Sequence, residues 1–519
     1  MNSNVKILTP DKLFSTLAFI AISSFYFVSA VHAAITTSFW MDEVLALTAA
    51  ERPNISGVVA VIWAGTDYCP PTYHILLHAV AQFSHSALMY RLLSILAIFL
   101  TSIIVLQIAR RYCPPPLPVL AYGLTLGSIL FSAATLARPY AFMALCLAAS
   151  LNLWERVDEK GPAIRIFAMW FMFALSLSLH FYGFISVAAV AIAELLWLAS
   201  GHEFRWKVWL PVVLSFPVEL AWAPYAIHLA RFSGLDSASN AFHARPTLPS
   251  FFQSLVAVLC NSGIGLLILV LIFISWLCVR ALRSSGPRSS NAPQSAGTNH
   301  GLPIGKFEIL IVTLATVPFI VFAFSLVTKN YATRYASPAA LFFGLAIVLL
   351  VRELPASRYV AYALILFSIY GIYTDSHRHD AIAEVTADME RPRDAIPVVV
   401  ISGKSYIELM RAAAPQTRSS LVYLKNPSDF ASPDATGEHE VIHLEPFNPA
   451  YHLEERDSFT SVNPRFYVLV SDEQPLEEFA PWLMDKEFAK ALVWKSSDSA
   501  LFLVNERSAT RNEQASDGK

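Results

Sequence analysis

Charge is what this sequence has least of. Asp, Glu, Lys and Arg make up 15% of its 519 residues, while 55% are hydrophobic. Soluble domains carry about 25% charged and roughly 45–50% apolar residues, so a wholly soluble chain is excluded. Cysteine is also sparse. The five cysteines (Cys69, Cys113, Cys146, Cys260 and Cys278) are scattered, with no CxxC pair, and none follows residue 278. That excludes a disulfide framework and a cysteine metal cluster. No basic cluster is present, so nucleic acid is not an expected partner. No strand is followed by a glycine-rich phosphate loop, and the chain shows no repeated halves.

What the chain does have is long apolar runs, recurring from the N-terminus to about residue 374. Runs near 12–34, 92–109, 117–134, 139–154, 166–180, 183–200, 208–228, 252–279, 308–328, 337–351 and 358–374 give about 11 transmembrane helices. The first follows Lys6 and Lys12 but is longer than a signal core and lacks a cleavage site, so it reads as an uncleaved span. Arg110 and Arg111; Arg156, Lys160 and Arg165; Arg205 and Lys207; Arg280, Arg283, Arg288 and Lys306; and Arg352 and Arg358 all fall on one side. By the positive-inside rule that side is the cytoplasm. The N-terminus is then cytoplasmic. The 35–91 loop, the turn at Arg138, the 229–251 loop, the 329–336 turn and the tail from 375 face the periplasm or exterior.

Residues 72–88 carry His74, His78 and His85 and are only marginally long enough to span, so they read as a helix in the outer interface. The i, i+4 pair His74 and His78 reads as a polar helix face. The Ser/Pro/Gly-rich segment 281–306 is a flexible linker. Beyond it the expected domains are a membrane-embedded part, 1–374, and a small soluble α/β domain, 380–519. There IPVVVIS, SSLVYL, RFYVLVS and SALFLV read as strands and SYIELMRAAA as a helix.

Polar residues at the outward boundaries are few and chemically mixed. They are Asp42, Glu43 and Asp67 in the first loop; Arg138 in ATLARPY; His180 and Tyr182 in LHFYG; and Lys329, Arg334 and Tyr335 in KNYATRYASP. Guanidinium groups give bidentate bonds to phosphate oxygens, and a carboxylate in reach of a hydroxyl can take its proton. Each also has a plain structural reading. The arginines could snorkel as interfacial anchors, His180 and Tyr182 could sit in an aromatic belt, and the Asp42–Glu43 pair could compensate a helix N-terminus. The three carboxylates are compatible with a divalent metal but form no diagnostic ligand set.

The order FWMDEVLALTAA, DYCPPTYHILLH, ATLARPYAFMALCLAASLNLWER, HFYGFISVAAVAIAELLWL and TRYASPAALFFGLAIVLL resembles the GT-C membrane glycosyltransferases over about residues 10–374. More narrowly, it is similar to the glycosyltransferase family 39-like group, the relatives of protein O-mannosyltransferase and lipid A aminoarabinose transferase. The resemblance implies a polytopic inner-membrane enzyme. It would move a sugar from a polyprenyl-phosphate donor to a hydroxyl of a lipid, glycan or protein acceptor on the periplasmic face. It makes Asp42 the catalytic carboxylate and Glu43 its support. It puts Asp67, Arg138, Tyr140, His180, Tyr182, Lys329, Arg334 and Tyr335 at the substrate. Cys69 stands where the family's D-x-H-P-P pattern has histidine, and Leu136 where an acid is common. The alternative class is a transporter or flippase for a lipid-linked or anionic substrate.

Overall fold

The computed structural model describes residues 9–159, 161–232, 246–284, 305–328, 331–377, 379–390, 396–425, 436–471, 481–484, 488–496 and 499–506. Helix α1 (Pro10–Thr36) precedes three short helices, α2 (Met41–Ala50), α3 (Ile55–Trp63) and α4 (Thr72–Ala81). The apolar series then runs through α5 (Ala87–Tyr112), α6 (Leu117–Leu126), α7 (Leu130–Ala134), α8 (Tyr140–Glu155), α9 (Pro162–Leu179), α10 (Phe184–Ala199) and α11 (Trp206–Phe232). It continues with α12 (Leu248–Cys260), α13 (Gly263–Ser284), α14 (Lys306–Thr328), the single turn α15 (Thr333–Ala336), α16 (Leu341–Val351) and α17 (Ser357–Ser376). After α18 (Ala381–Met389) the chain alternates β1 (Val398–Val400), α19 (Gly403–Ala412), α20 (Pro415–Arg418), β2 (Leu421–Lys425), α21 (Thr436–Leu444), β3 (Leu453–Glu455), α22 (Arg456–Val462), β4 (Arg465–Ser471), β5 (Phe488–Lys495) and β6 (Ser499–Glu506).

Among the described residues eight helices are long and apolar enough to cross a membrane, and the protein is a multi-pass membrane protein. Eight of the runs read as spans lie on these helices, and the other three form helices that are shorter or less apolar. The 117–134 run breaks at Gly127, leaving α6 at 10 residues. The 139–154 run forms α8, whose 16 residues rise only about 24 Å against a hydrocarbon core of about 30 Å. Helix α17 is 20 residues long, the length of a span, and Tyr359, Tyr362, Tyr370, Tyr373 and Asp375 make it less apolar than the eight. The 252–279 run is also two helices, separated at Asn261, whose φ of 65° is the left-handed conformation that ends a helix.

The chain divides into two compact units. The first comprises Met1–Ile35, Leu88–Pro224 and Pro246–His377. Its core is one continuous apolar cluster from α1 and α5–α17. Helices α6 and α17 cross at backbone contact. A Cβ on Gly127 would collide with the Ser368 carbonyl, and one on Gly371 would lie 2.6 Å from the Gly127 carbonyl. Small residues at such a crossing let two backbones meet where side chains cannot.

The Lys- and Arg-bearing connections converge at one set of helix ends in this unit. Arg205 pairs with Glu194, and with Asp158 at 3.2 Å. The same Glu194 carboxylate accepts Trp154 Nε1 at 2.9 Å. Arg111 pairs with Glu155, and Lys306 Nζ donates to the Glu155 carbonyl at 2.7 Å. Arg352 reaches Glu308 at 3.1 Å. The Arg205 guanidinium lies over the Trp154 and Trp197 rings, at 5.0 and 4.8 Å.

The second unit comprises Thr36–Ala87, Tyr225–Arg245 and Arg378–Lys519. Its six-stranded mixed sheet has the order β3-β2-β1-β4-β6-β5. β1 pairs in parallel with β2 and β4, and β6 pairs antiparallel with β4 and β5. All four expected strands and the helix on SYIELMRAAA are present. Alternation along β1 sends Val398 and Val400 to one core and Val399 to the other. The first loop, expected to belong with the membrane part, clusters here instead. Val44 and Leu45 of α2 are buried in the same cluster as Val385, Met389, Val398, Tyr406 and Ile407. Helix α4 ends at Ala81 after 10 residues, too short to span.

Because α6 and α17 meet at Gly127, we expect Gly127→Leu to destabilise the helical unit by about 1–3 kcal/mol through overpacking. Thermal unfolding in detergent reads this out, with Gly263→Ala, whose added Cβ would meet nothing within 4 Å, as the comparison for a mild effect.

Candidate functional site

In the helical unit, three connections bring six of the expected site residues together. Arg138 lies in the turn between α7 and α8, where Ser94 Oγ donates to its carbonyl at 3.4 Å. Pro139 follows and Tyr140 opens α8, 1% exposed. Proline suits a helix start because its missing N–H would have no partner there.

His180 ends α9 with an extended backbone, φ −161° and ψ 144°. Its Nδ1 accepts the Tyr182 N–H at 3.0 Å, which places the proton of a neutral imidazole on Nε2. The Phe181–Gly183 turn is fastened from behind, with Ser176 Oγ donating to the Gly183 carbonyl at 2.9 Å. The third connection is α15, carrying Arg334 and Tyr335. Ser337 Oγ donates to the Arg334 carbonyl at 2.7 Å, and Thr333 Oγ1 meets Ser254 Oγ at 2.6 Å.

The side chains form one cluster. Arg334 Nε donates to the Tyr140 hydroxyl at 3.1 Å and its guanidinium lies 5.4 Å from the Tyr335 ring. Arg138 lies over the Tyr140 ring at 5.9 Å. Tyr182 and Tyr335 stack at 4.4 Å and 14°. His180 is 5.7 Å from Tyr140, 5.5 Å from Tyr335 and 5.7 Å from Tyr182. Arg138, Tyr140, His180, Tyr182 and Tyr335 are all buried. Two guanidinium groups set on aromatic rings and a phenol present fork-shaped donors suited to phosphate oxygens. Lys329 lies outside the described residues.

The acidic residues belong to the second unit. Asp42 and Glu43 occupy the first turn of α2, 8% and 0% exposed. The Glu43 carboxylate accepts the Trp40 N–H at 3.1 Å, so this acid compensates the helix N-terminus. Asp67 Oδ2 bonds His74 Nε2 at 2.9 Å, both side chains buried, and the Asp67 carbonyl accepts the Tyr225 hydroxyl at 3.2 Å. His78 Nδ1 meets the Ala50 carbonyl at 2.8 Å, tying α4 to α2. His74 and His78 are thus interior histidines and not a polar helix face. His74 Nδ1 has no hydrogen-bond partner among the described residues. Burial, with the charges of Glu440 and Asp67, pushes the Tyr68 phenol well above its usual range. Among the described residues no group of three or more His, Cys, Asp or Glu side chains is placed to hold a metal.

Sequence reasoning passed over two residues that matter here. Gly183 abuts the Ser176 carbonyl so closely that no Cβ fits, and Glu408 accepts the Met41 N–H at 2.8 Å. The first could be suspected from the Gly in LHFYG; nothing near Glu408 signals the second.

No family model matches the chain, and no curated protein matches it in sequence. Solved structures do match. ArnT from Cupriavidus metallidurans in the apo state aligns over 94% of this chain and 97% of its own, with a TM-score of 0.55 at 12% identity. The same protein bound to undecaprenyl phosphate aligns over 93% and 97%, with a TM-score of 0.51 at 12% identity. The chain is similar in fold to ArnT. The expected architecture, a helical membrane part with a small C-terminal sheet domain, is what the chain has. Coverage of 94% leaves no room for either unit to lie wholly outside the ArnT-like fold.

Gly183→Ala should shift the Phe181–Gly183 turn and with it His180 and Tyr182. We expect a stability loss of about 1–3 kcal/mol and, in protein that still folds, a fall of about tenfold or more in affinity for a polyprenyl phosphate, a misplacement effect. Titration calorimetry in detergent measures it, and unchanged affinity would remove His180 and Tyr182 from the site.

Proposed function

We propose that this chain is a membrane glycosyltransferase that moves a sugar from a polyprenyl-phosphate donor to a hydroxyl of a lipid, glycan or protein acceptor. The reaction takes place at the periplasmic face of the inner membrane, with inversion at the anomeric carbon. The observation that carries the reading is the buried cluster of Arg138, Arg334, Tyr140, His180, Tyr182 and Tyr335. The ArnT fold supports it, as does the undecaprenyl phosphate bound to ArnT itself. The one-sided distribution of Lys and Arg supports the periplasmic assignment.

The chemistry follows from the donor. A lipid-linked sugar stays in the bilayer, so its anomeric carbon and phosphate lie at interface depth. Asp42 takes the proton of the acceptor hydroxyl, and the oxygen attacks the anomeric carbon. The bond to the phosphate breaks and its electron pair leaves with the polyprenyl phosphate. Arg138 and Arg334 stabilise the charge that grows on the departing phosphate. The Tyr182–Tyr335 stack and His180 orient the sugar phosphate, and Lys329 adds a further cation. Glu43 fixes the first turn of α2, and Asp67, held by His74, contacts the sugar.

Two experiments test this. Purified protein supplied with a panel of polyprenyl-phosphate sugars should release polyprenyl phosphate in step with glycosylated product, followed by mass spectrometry; no release with any donor sinks the proposal. Asp42→Asn should lower kcat by about 10²–10⁴-fold, the usual contribution of a general base, with the fold intact. Near wild-type turnover would refute that role. Arg138→Gln and Arg334→Gln should each cost about tenfold or more in kcat/KM for the donor, and unchanged kinetics would return both to the role of anchors.

A further inference from the structure

The second unit joins segments far apart in the chain. Helix α2, with Asp42 at its second position, is 10 residues long. Isolated helices shorter than about 12–15 residues are marginal in water. The place of Asp42 is therefore set by whatever holds α2, and α19 of the sheet domain holds it at both ends.

At the front, Glu408 Oε1 accepts the Met41 N–H at 2.8 Å, and Glu408 is 2% exposed. At the back, Arg411 makes two bonds to Glu51, the α2 C-cap, at 3.0 and 2.7 Å. Glu408 and Arg411 are three residues apart, on one face of α19. The Phe39 ring lies under the Arg411 guanidinium at 5.5 Å. Ser38 N donates to Asp380 Oδ2 at 2.5 Å, fixing the approach to α2. Between the two polar ends, Val44 and Leu45 are buried with Tyr406, Ile407 and Met410. A buried carboxylate on a helix N-terminus makes a charge-assisted bond and also meets the positive end of the helix dipole.

We infer that the C-terminal sheet domain serves the reaction by clamping the acid-bearing helix, with Glu408 as the positioning residue and Arg411 as its counterpart at the other end. This rests on the reading of Asp42 as the base. The domain is then not a detachable acceptor-binding module. A reacting group displaced by about 1 Å can cost 10²-fold in rate, so the clamp acts on kcat and leaves donor binding alone.

The test uses the full-length protein in detergent, with donor kinetics and hydrogen exchange of peptides covering residues 38–50. We expect E408A to lower kcat about tenfold or more with donor KM changed less than about twofold. Exchange over 38–50 should rise while β1 and β4 stay protected. E408Q keeps a carbonyl that accepts the Met41 N–H and should hold kcat within about threefold of the parent. E408D keeps the charge but is one methylene too short, and should behave as E408A even if E408A cannot be purified. Unchanged kcat and exchange in E408A or E408D overturns the inference. So does loss of protection throughout the sheet, which marks a general structural role, or an E408Q as slow as E408A. Asp42→Asn separates this from the reading beneath it. If that variant turns over normally, the base assignment falls, and the exchange over 38–50 alone upholds or overturns the clamp.

Discussion

A charge inside a packed interior must be matched by groups that replace water, and this constraint orders both units. Taking an ion out of water costs several kcal/mol even after relaxation. The helical unit meets that cost at its basic ends with carboxylates, Arg205 with Glu194 and Arg111 with Glu155. It also uses indoles, since Trp154 donates to Glu194 and lies beneath Arg205. The ends of α5, α8, α10 and α11 are tied together by these pairs, which gives these helices a common base. Breaking one partner of such a pair would leave the other charge stranded, so the network acts as a unit.

At the connections carrying Arg138, His180 and Arg334 the matching groups include phenols and ring faces. An aromatic face attracts a cation through its quadrupole without cancelling its charge. A guanidinium seated on a ring therefore still presents full positive charge to a phosphate. The backbone beneath these residues is held by Ser94, Ser176 and Ser337, each hydroxyl donating to a carbonyl in or beside the turn. The helices supply rigidity and the turns carry the polar side chains, the usual division between scaffold and connections.

Much of this was legible in the sequence because it is written locally. Apolar runs mark the spans, Lys and Arg mark one side, and the alternation and β-branched content of IPVVVIS and RFYVLVS mark strands. The cluster residues could be named because few polar side chains stand at the outward boundaries. What was not legible depends on contacts rather than runs. A hydropathy reading passes over Asn261 and Gly127, since a single left-handed residue or a backbone collision changes no average. It cannot tell that His74 lies against Asp67 and so belongs to an interior. Least legible was the partnership of α2 with α19, because Met41 and Glu408 are 367 positions apart and no local pattern links them.

That separation is less costly than it looks. Loop-closure entropy grows as the logarithm of length, about 0.6 kcal/mol per doubling, so joining residues 36–87 to 378–519 costs little more than joining segments half as distant. The consequence is kinetic. The core that receives Val44 and Leu45 is built from strands and helices beyond residue 380, so during synthesis α2 waits for almost the whole chain. Contacts so distant in sequence form late in folding. A helix too short to stand alone, carrying two carboxylates in its first turn, then takes its final place only when Glu408 and Arg411 exist to receive it. The same clamp that fixes the acid in the finished protein makes the acid-bearing helix one of the last parts to be finished.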